Sequence, residues 1–147
     1  MAVSALSAAR TICELRNWDV SNLEIQKILY IAHMIHIGEN DGHPLINGGF
    51  EAWDYGPVSP AVYHRVKGFG SNPVKNVFHW IEPVPEGTSE YHAIEAAVNM
   101  TSNMSASKLI SVTHWDKGAW YKSYNGGERN IPIPNNDIAE EFLERLK

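Results

Sequence analysis

The segment from Ser21 to Gly38 constrains this chain more than any other. Ser21 and Glu24 stand three apart in a capping-box pattern, in which each side chain satisfies a backbone N–H at the start of a helix. Behind them Ile25, Ile28, Leu29, Ala32 and Ile35 recur at helical spacing. The spacing predicts a helix with those residues on its inner face, ending near Gly38. It is the clearest element in the chain, and the rest is read around it.

A preceding helix is expected over Ser4–Arg16, with Leu6, Ala9, Ile12 and Cys13 inward. Gly42 and Pro44 mark the turn after the central helix. Phe50–Pro57 is too short and too rich in aromatic and breaker residues for a helix, and reads as an extended piece entering a tight turn. Ser59-Pro60 then starts a helix, with Ser as cap and Pro in the first position. That helix carries Val62, Tyr63 and Val66 and stops at Gly68 and Gly70. Pro73–Pro85 is irregular, with a short strand expected around Val77–Ile81.

A further long helix starts at Thr88 or Ser89, with Tyr91, Ile94, Ala97, Val98 and Thr101 inward. Ser105 or Ser107 caps a shorter one through Leu109, Ile110 and Val112. Thr113–Trp120 reads as a loop followed by a helical turn to Tyr124, and Gly126-Gly127 breaks the chain. Ile131–Pro134 is extended, because Pro disfavours helix in the residue before it. Asn135 or Asn136 caps a last helix with Ile138, Phe142, Leu143 and Leu146 inside. The expected fold is mostly α, about six helices with one or two short β-strands, in a single compact domain over residues 1–147.

Composition narrows the function. The 147 residues are 44% hydrophobic and 20% charged, so an ordinary globular core is within reach. The net charge is -5, and the few Lys and Arg are scattered, so no direct nucleic-acid contact is expected. An acidic balance suits a basic protein partner better. Cys13 is the only cysteine, which fits a reducing compartment. Met1–Arg10 has no signal-peptide pattern, and no apolar run approaches the ~18 residues that span a membrane. A cytoplasmic protein without a membrane segment is expected.

The candidates for chemistry are weak. His33, His36 and Glu39 lie three apart, but a zinc site needs three or four convergent ligands, and neither an HExxH nor a Cys pair is present. No cofactor and no metal are expected. A small metal-dependent hydrolase using His33, His36 or His114 is the alternative from the enzyme class, without a matched nucleophile or paired carboxylate to support it. Cys13 falls on an apolar helix face, where a buried, inert thiol is usual. Gly68-Phe69-Gly70-Ser71 follows a helix rather than a strand, which removes the phosphate-loop reading.

Two aromatic loops stand out instead. In Phe50–Pro57, Trp53 and Tyr55 flank Asp54 and lead into Gly56-Pro57. Either Trp53 plugs the core and Gly56 takes a conformation other residues resist, or the aromatics form a contact surface. In Thr113–Trp120, either Thr113 closes a helix and Trp120 packs, or His114 and Trp120 lie beside the first loop and complete one recognition site. The residues by themselves leave both pairs of readings open.

Three stretches carry a family resemblance: Leu23-x-x-Gln26-Lys27-x-Leu29-Tyr30-x-Ala32-His33; Phe50-Glu51-Ala52-Trp53-x-Tyr55-Gly56-Pro57-Val58-x-Pro60-x-Val62-Tyr63; and Thr113-His114 with Trp120. In this order they resemble the Panacea domain of SocA-like antitoxins, over nearly the whole chain. The resemblance implies an antitoxin, not an enzyme, that neutralises a cognate toxin by binding it. It also implies an alternative, an adaptor delivering the toxin to a AAA+ protease of the ClpXP type, and an origin in bacteria, phages or prophages. The residues it singles out as partner-binding or family-motif positions are Lys27, Tyr30, Glu51, Trp53, Asp54, Tyr55, Gly56, Pro57, Tyr63, Thr113, His114 and Trp120. Trp53, Tyr55 and Trp120 would supply apolar contact; His114, Glu51 and Asp54 would orient and hydrogen-bond; Lys27 would pair with an acid near the turn. One departure is Ala119, where the family commonly has Pro, and it is expected to loosen that loop.

Overall fold

In the computed structural model, which describes residues 2–147, the central helix α2 runs over Asn22–Glu39 and begins as its sequence predicts. Ser21 Oγ accepts from the Glu24 N–H at 3.3 Å, and the Glu24 carboxylate accepts from the Ser21 N–H at 2.9 Å. Every residue from Ile25 to Ile37 is buried, so α2 has no solvent face along this stretch. The predicted apolar stripe is only part of what it buries. It is surrounded by α1 (Ala5–Leu15), α4 (Ser89–Met100), α5 (Ala106–Thr113), α7 (Asn135–Arg145) and a small sheet.

Local capping sets most of the other boundaries. Ser4, Thr88 and Ser105 each accept a backbone N–H three residues on, opening α1, α4 and α5; Ser105 and not Ser107 is the cap of α5. α3 (Pro60–Val66) has Pro60 in its first turn, but the Ser59 side chain makes no capping bond. Gln26 of α2 takes over: its amide oxygen accepts from Ser59 N at 2.8 Å and its amide nitrogen donates to Ser59 O at 3.3 Å. α7 is entered from Pro134 without a side-chain cap, and the Asn135 side chain lies 3.1 Å from His33 Nε2 instead of capping the helix. Seven α-helices result among the described residues; the one beyond the expected six is α6 (Ala119–Ser123), a five-residue piece where the sequence shows a helical turn.

The sheet has three short antiparallel strands in the order β2-β1-β3: β1 (Phe50–Trp53), β2 (Gly56–Val58) and β3 (Pro132–Ile133). β1 and β2 form a hairpin with Trp53 opposite Gly56 and Asp54-Tyr55 at its tip. Phe50 rests edge-on against Tyr30 of α2 at 5.4 Å, which fixes the hairpin over the helix. The strand expected at Val77–Ile81 does not form. Its backbone groups go to side chains of neighbouring helices instead of a ladder: Arg10 donates to the carbonyls of Phe78 and Ile81, and Arg65 to that of Val77.

On α7 the inner stripe is Ile138, Glu141 and Phe142, at helical spacing. Leu143 and Leu146 fall off that stripe and are exposed, contrary to the sequence expectation. Among the described residues no helix is long and apolar enough to cross a membrane.

Candidate functional site

The site is built where the hairpin tip closes over α2. Lys27 is buried, and its Nζ donates to the Pro57 carbonyl at 3.3 Å. The acid expected to pair with it is absent: no carboxylate among the described residues lies within ion-pair reach, and the partner is a backbone oxygen. Burial lowers the Lys27 pKa from 10.5 to about 7, because an ammonium held away from water loses hydration. Gly56 has φ +116°, and a Cβ there would sit 3.0 Å from Lys27 Nζ and 3.1 Å from Thr113 Oγ1. Only glycine allows this turn and this approach together.

The second loop meets the first through a stack of rings. Thr113 Oγ1 donates to Leu109 O at 3.1 Å and so closes α5 on itself. The next ring, His114, lies flat on Trp120 at 3.8 Å and 4°, and Trp120 stacks on Tyr124 at 4.6 Å. Trp120 Nε1 then donates to the Trp53 carbonyl at 2.7 Å, and Tyr124 OH to the Asp54 carboxylate at 2.6 Å. Two bonds therefore tie α6 to the hairpin. His114 Nε2 is shielded and has no hydrogen-bond partner among the described residues. Its pKa is lowered, first by burial and then by the nearby Lys27 charge, against an opposing pull from the Tyr55 backbone.

The outer wall is aromatic and cationic. Trp53 meets Tyr63 edge-on at 4.7 Å, and the Arg129 guanidinium lies 4.3 Å above the Trp53 ring. Trp53 Nε1 donates to Glu51 at 3.0 Å. These groups border a cavity of about 380 Å³ whose lining includes Leu23, Lys27, Trp53, Tyr55, Tyr63 and Arg129. Of the three aromatics expected to supply contact, Trp53 and Trp120 are 8% and 6% exposed, and Tyr55 is 68% exposed. The structure thus brings together Lys27, Gly56, Pro57, Thr113, His114, Trp120, Trp53 and Asp54, with Tyr55 and Asp54 on the outside.

Tyr30 belongs to a neighbouring cluster centred on a residue that sequence reasoning missed. Glu141 is buried on α7; its Oε1 accepts from Tyr30 OH at 2.6 Å and from Ala119 N at 3.0 Å. Its Oε2 pairs with Arg145 at 2.6 Å. Burial and the Glu141 charge push the Tyr30 pKa well above 10. Ala119 therefore does not loosen its loop: proline could not donate this N–H, and alanine uses it to anchor α6. The signal for Glu141 was its position, three after Ile138 and one before Phe142, on the inner stripe of the last helix. Tyr124 and Arg129 were also missed, and Gln26, quoted only within the family stretch, was given no role.

The histidines of α2 are occupied structurally. Ile46 N donates to His33 Nδ1 at 3.4 Å, which leaves His33 Nε2 to donate to Asn135, and burial lowers the His33 pKa to about 4. His36 contacts the His43 carbonyl at 2.7 Å, Ser89 Oγ at 2.9 Å and the Glu90 carboxylate at 3.5 Å. Glu39 is exposed. Among the described residues no three His, Cys, Asp or Glu side chains converge as a metal site. Cys13 is buried, which pushes its thiol pKa up to about 12.

Comparison with known proteins matches residues 25–121 to a family described as antitoxin SocA-like, Panacea domain. A curated protein, antitoxin SocA of Caulobacter vibrioides (strain NA1000 / CB15N), is 36% identical over 123 residues. The match covers 78% of this chain and 65% of that relative, just under two thirds of its length. No solved structure matches the chain.

Proposed function

The chain belongs to the SocA-like Panacea-domain family, and from that membership we propose that it is an antitoxin-type binding domain that neutralises a cognate toxin by direct contact. The observation that carries the contact site is the interlock of the two aromatic loops into one unit whose outward part is Tyr55 at the mouth of the 380 Å³ cavity. In this reading most of the motif residues act from inside. Lys27, Gly56, Pro57, Thr113, His114 and Trp120 hold the hairpin in one shape. Trp53 and Tyr63 form the cavity wall, while Tyr55, Asp54 and Arg129 meet the toxin at its rim. A rigid rim needs little ordering on association, which favours affinity. The reading assigns no reaction to the chain.

The test compares Tyr55→Ala with Trp53→Ala. Tyr55→Ala keeps stability within about 0.5 kcal/mol, as an exposed change should, and abolishes neutralisation of the cognate toxin. Trp53→Ala costs about 3–5 kcal/mol because that ring is buried. A folded Tyr55→Ala protein that neutralises fully sinks the site assignment. Repeating the assay in a strain lacking ClpXP separates direct binding from delivery: protection that vanishes there identifies a proteolytic adaptor.

A further inference from the structure

Arg129 is a cation without an acid. Its guanidinium carbon lies 4.3 Å from the centre of the Trp53 ring and 5.7 Å from that of Tyr63. The residue is exposed, and among the described residues these two rings are the only partners of its side chain. None of its guanidinium N–H groups is spent on a hydrogen bond or an ion pair there. Two carboxylates belong to the same neighbourhood, and the fold holds both elsewhere. Glu51 accepts from Trp53 Nε1 at 3.0 Å, and Asp54 accepts from Tyr124 OH at 2.6 Å. Lys122 and Arg145, by contrast, each pair with a glutamate.

What holds Arg129 also leaves it usable. A guanidinium resting on ring faces is oriented by the π-electrons, while its N–H edges stay free for an acceptor in its plane. Trp53 is itself fixed: it meets Tyr63 edge-on at 4.7 Å, its indole N–H is bonded to Glu51, and its carbonyl is bonded to Trp120. A partner therefore meets a fork already in position and loses little freedom in ordering it. The local charge is positive, although the whole chain carries -5. Lys27, Arg129 and Asp54 are the charged residues lining the cavity, and Lys67 Nζ stands 5.9 Å from the Tyr63 ring. With Lys67 counted, the balance stays positive even when Lys27 is neutral. Apolar surface adjoins it, since Leu23, Tyr55 and Tyr63 line the same cavity. A group that suits both carries a negative head beside an apolar neighbour. The Glu51 and Asp54 charges favour a singly charged carboxylate over a doubly charged phosphate.

We propose that Arg129 is the specificity-determining residue of the toxin-binding rim: held on Trp53 and Tyr63, it takes an Asp or Glu carboxylate of the toxin in a two-pronged hydrogen-bonded pair, and the apolar neighbour of that acid lies against Tyr55 and Leu23. This rests on the antitoxin reading above and gives its rim a chemical preference. The probes are the capped tripeptide acetyl-Leu-Glu-Leu-amide and its Gln and Lys counterparts. Each is titrated into the full chain at neutral pH while the Trp53 indole N–H resonance is followed. The Glu peptide binds about tenfold more tightly than the Gln peptide, or better. Arg129→Gln removes that preference without changing the melting temperature, and it weakens neutralisation of the cognate toxin. Arg129→Lys, a cation without the fork, keeps only part of the preference. Equal binding of the Glu and Gln peptides, or saturation by neither, overturns the proposal. A preference for the Lys peptide once Arg129→Ala clears the rings also overturns it, because the rings are then a cation cage that Arg129 merely fills. Displacement of the Glu peptide by an equal concentration of inorganic phosphate overturns the carboxylate assignment. Neutralisation untouched by Arg129→Gln overturns the proposal and leaves the antitoxin reading intact, whereas a wild-type chain that leaves the cognate toxin active overturns both.

Discussion

Replacing Lys27 by Met, which has a similar shape and no charge, isolates what burying that ammonium does to stability. Unfolded, Lys27 titrates near its ordinary 10.5; folded, near 7, because of burial. The displacement corresponds to about 5 kcal/mol at 1.36 kcal/mol per tenfold change in proton affinity. The folded pKa is depressed, so the folded state holds fewer protons than the unfolded state between pH 7 and 10.5. Stability therefore rises with pH across that window, and the full penalty applies below pH 7. The side chain returns only about 1 kcal/mol through its bond to Pro57 O. Lys27→Met is expected to be up to about 4 kcal/mol more stable than wild type at pH 6, and level or slightly less stable at pH 10. Urea denaturation of both proteins at four pH values reads this; of the other groups, His114 is the one whose titration also feels the Lys27 charge. A stability difference that stays constant from pH 6 to 10 refutes the reasoning, since Lys27 would then titrate alike in both states.

Glu141→Gln removes the charge shared by Tyr30, Ala119 and Arg145; an expected loss of about 2–4 kcal/mol is measured by urea titration, and an unchanged midpoint would mean that this cluster contributes nothing. Gly56→Ala places a methyl group at φ +116°, within 3.0 Å of Lys27 Nζ, and is expected to destabilise by about 1–3 kcal/mol in a thermal melt.

Helix starts were legible because a capping bond is a contact three residues long. Ser21, Thr88 and Ser105 cap helices where the sequence marks their starts, whereas Ser59 and Asn135 make no capping bond. The hairpin was half-legible: Gly56-Pro57 announced a turn, but its partner strand β3 lies far along the chain and only folding brings it alongside. The candidate site divides the same way. Its aromatic residues stood out by type, yet sequence could not say which would face water.

Sequence alone determined the helical class, the central capped helix and the residues of the two aromatic loops, because propensity, capping and periodicity act over a few residues. Tertiary structure decided the rest. It gave Lys27 a carbonyl instead of an acid, placed Glu141 under α6, and sealed Trp53 and Trp120 inside. It also denied Val77–Ile81 its strand and left Tyr55 and Trp80 in water. Each of these depends on what a distant segment offers, an Arg10 or an Arg145 at the right height, and the spacing of residues along the chain does not encode that meeting.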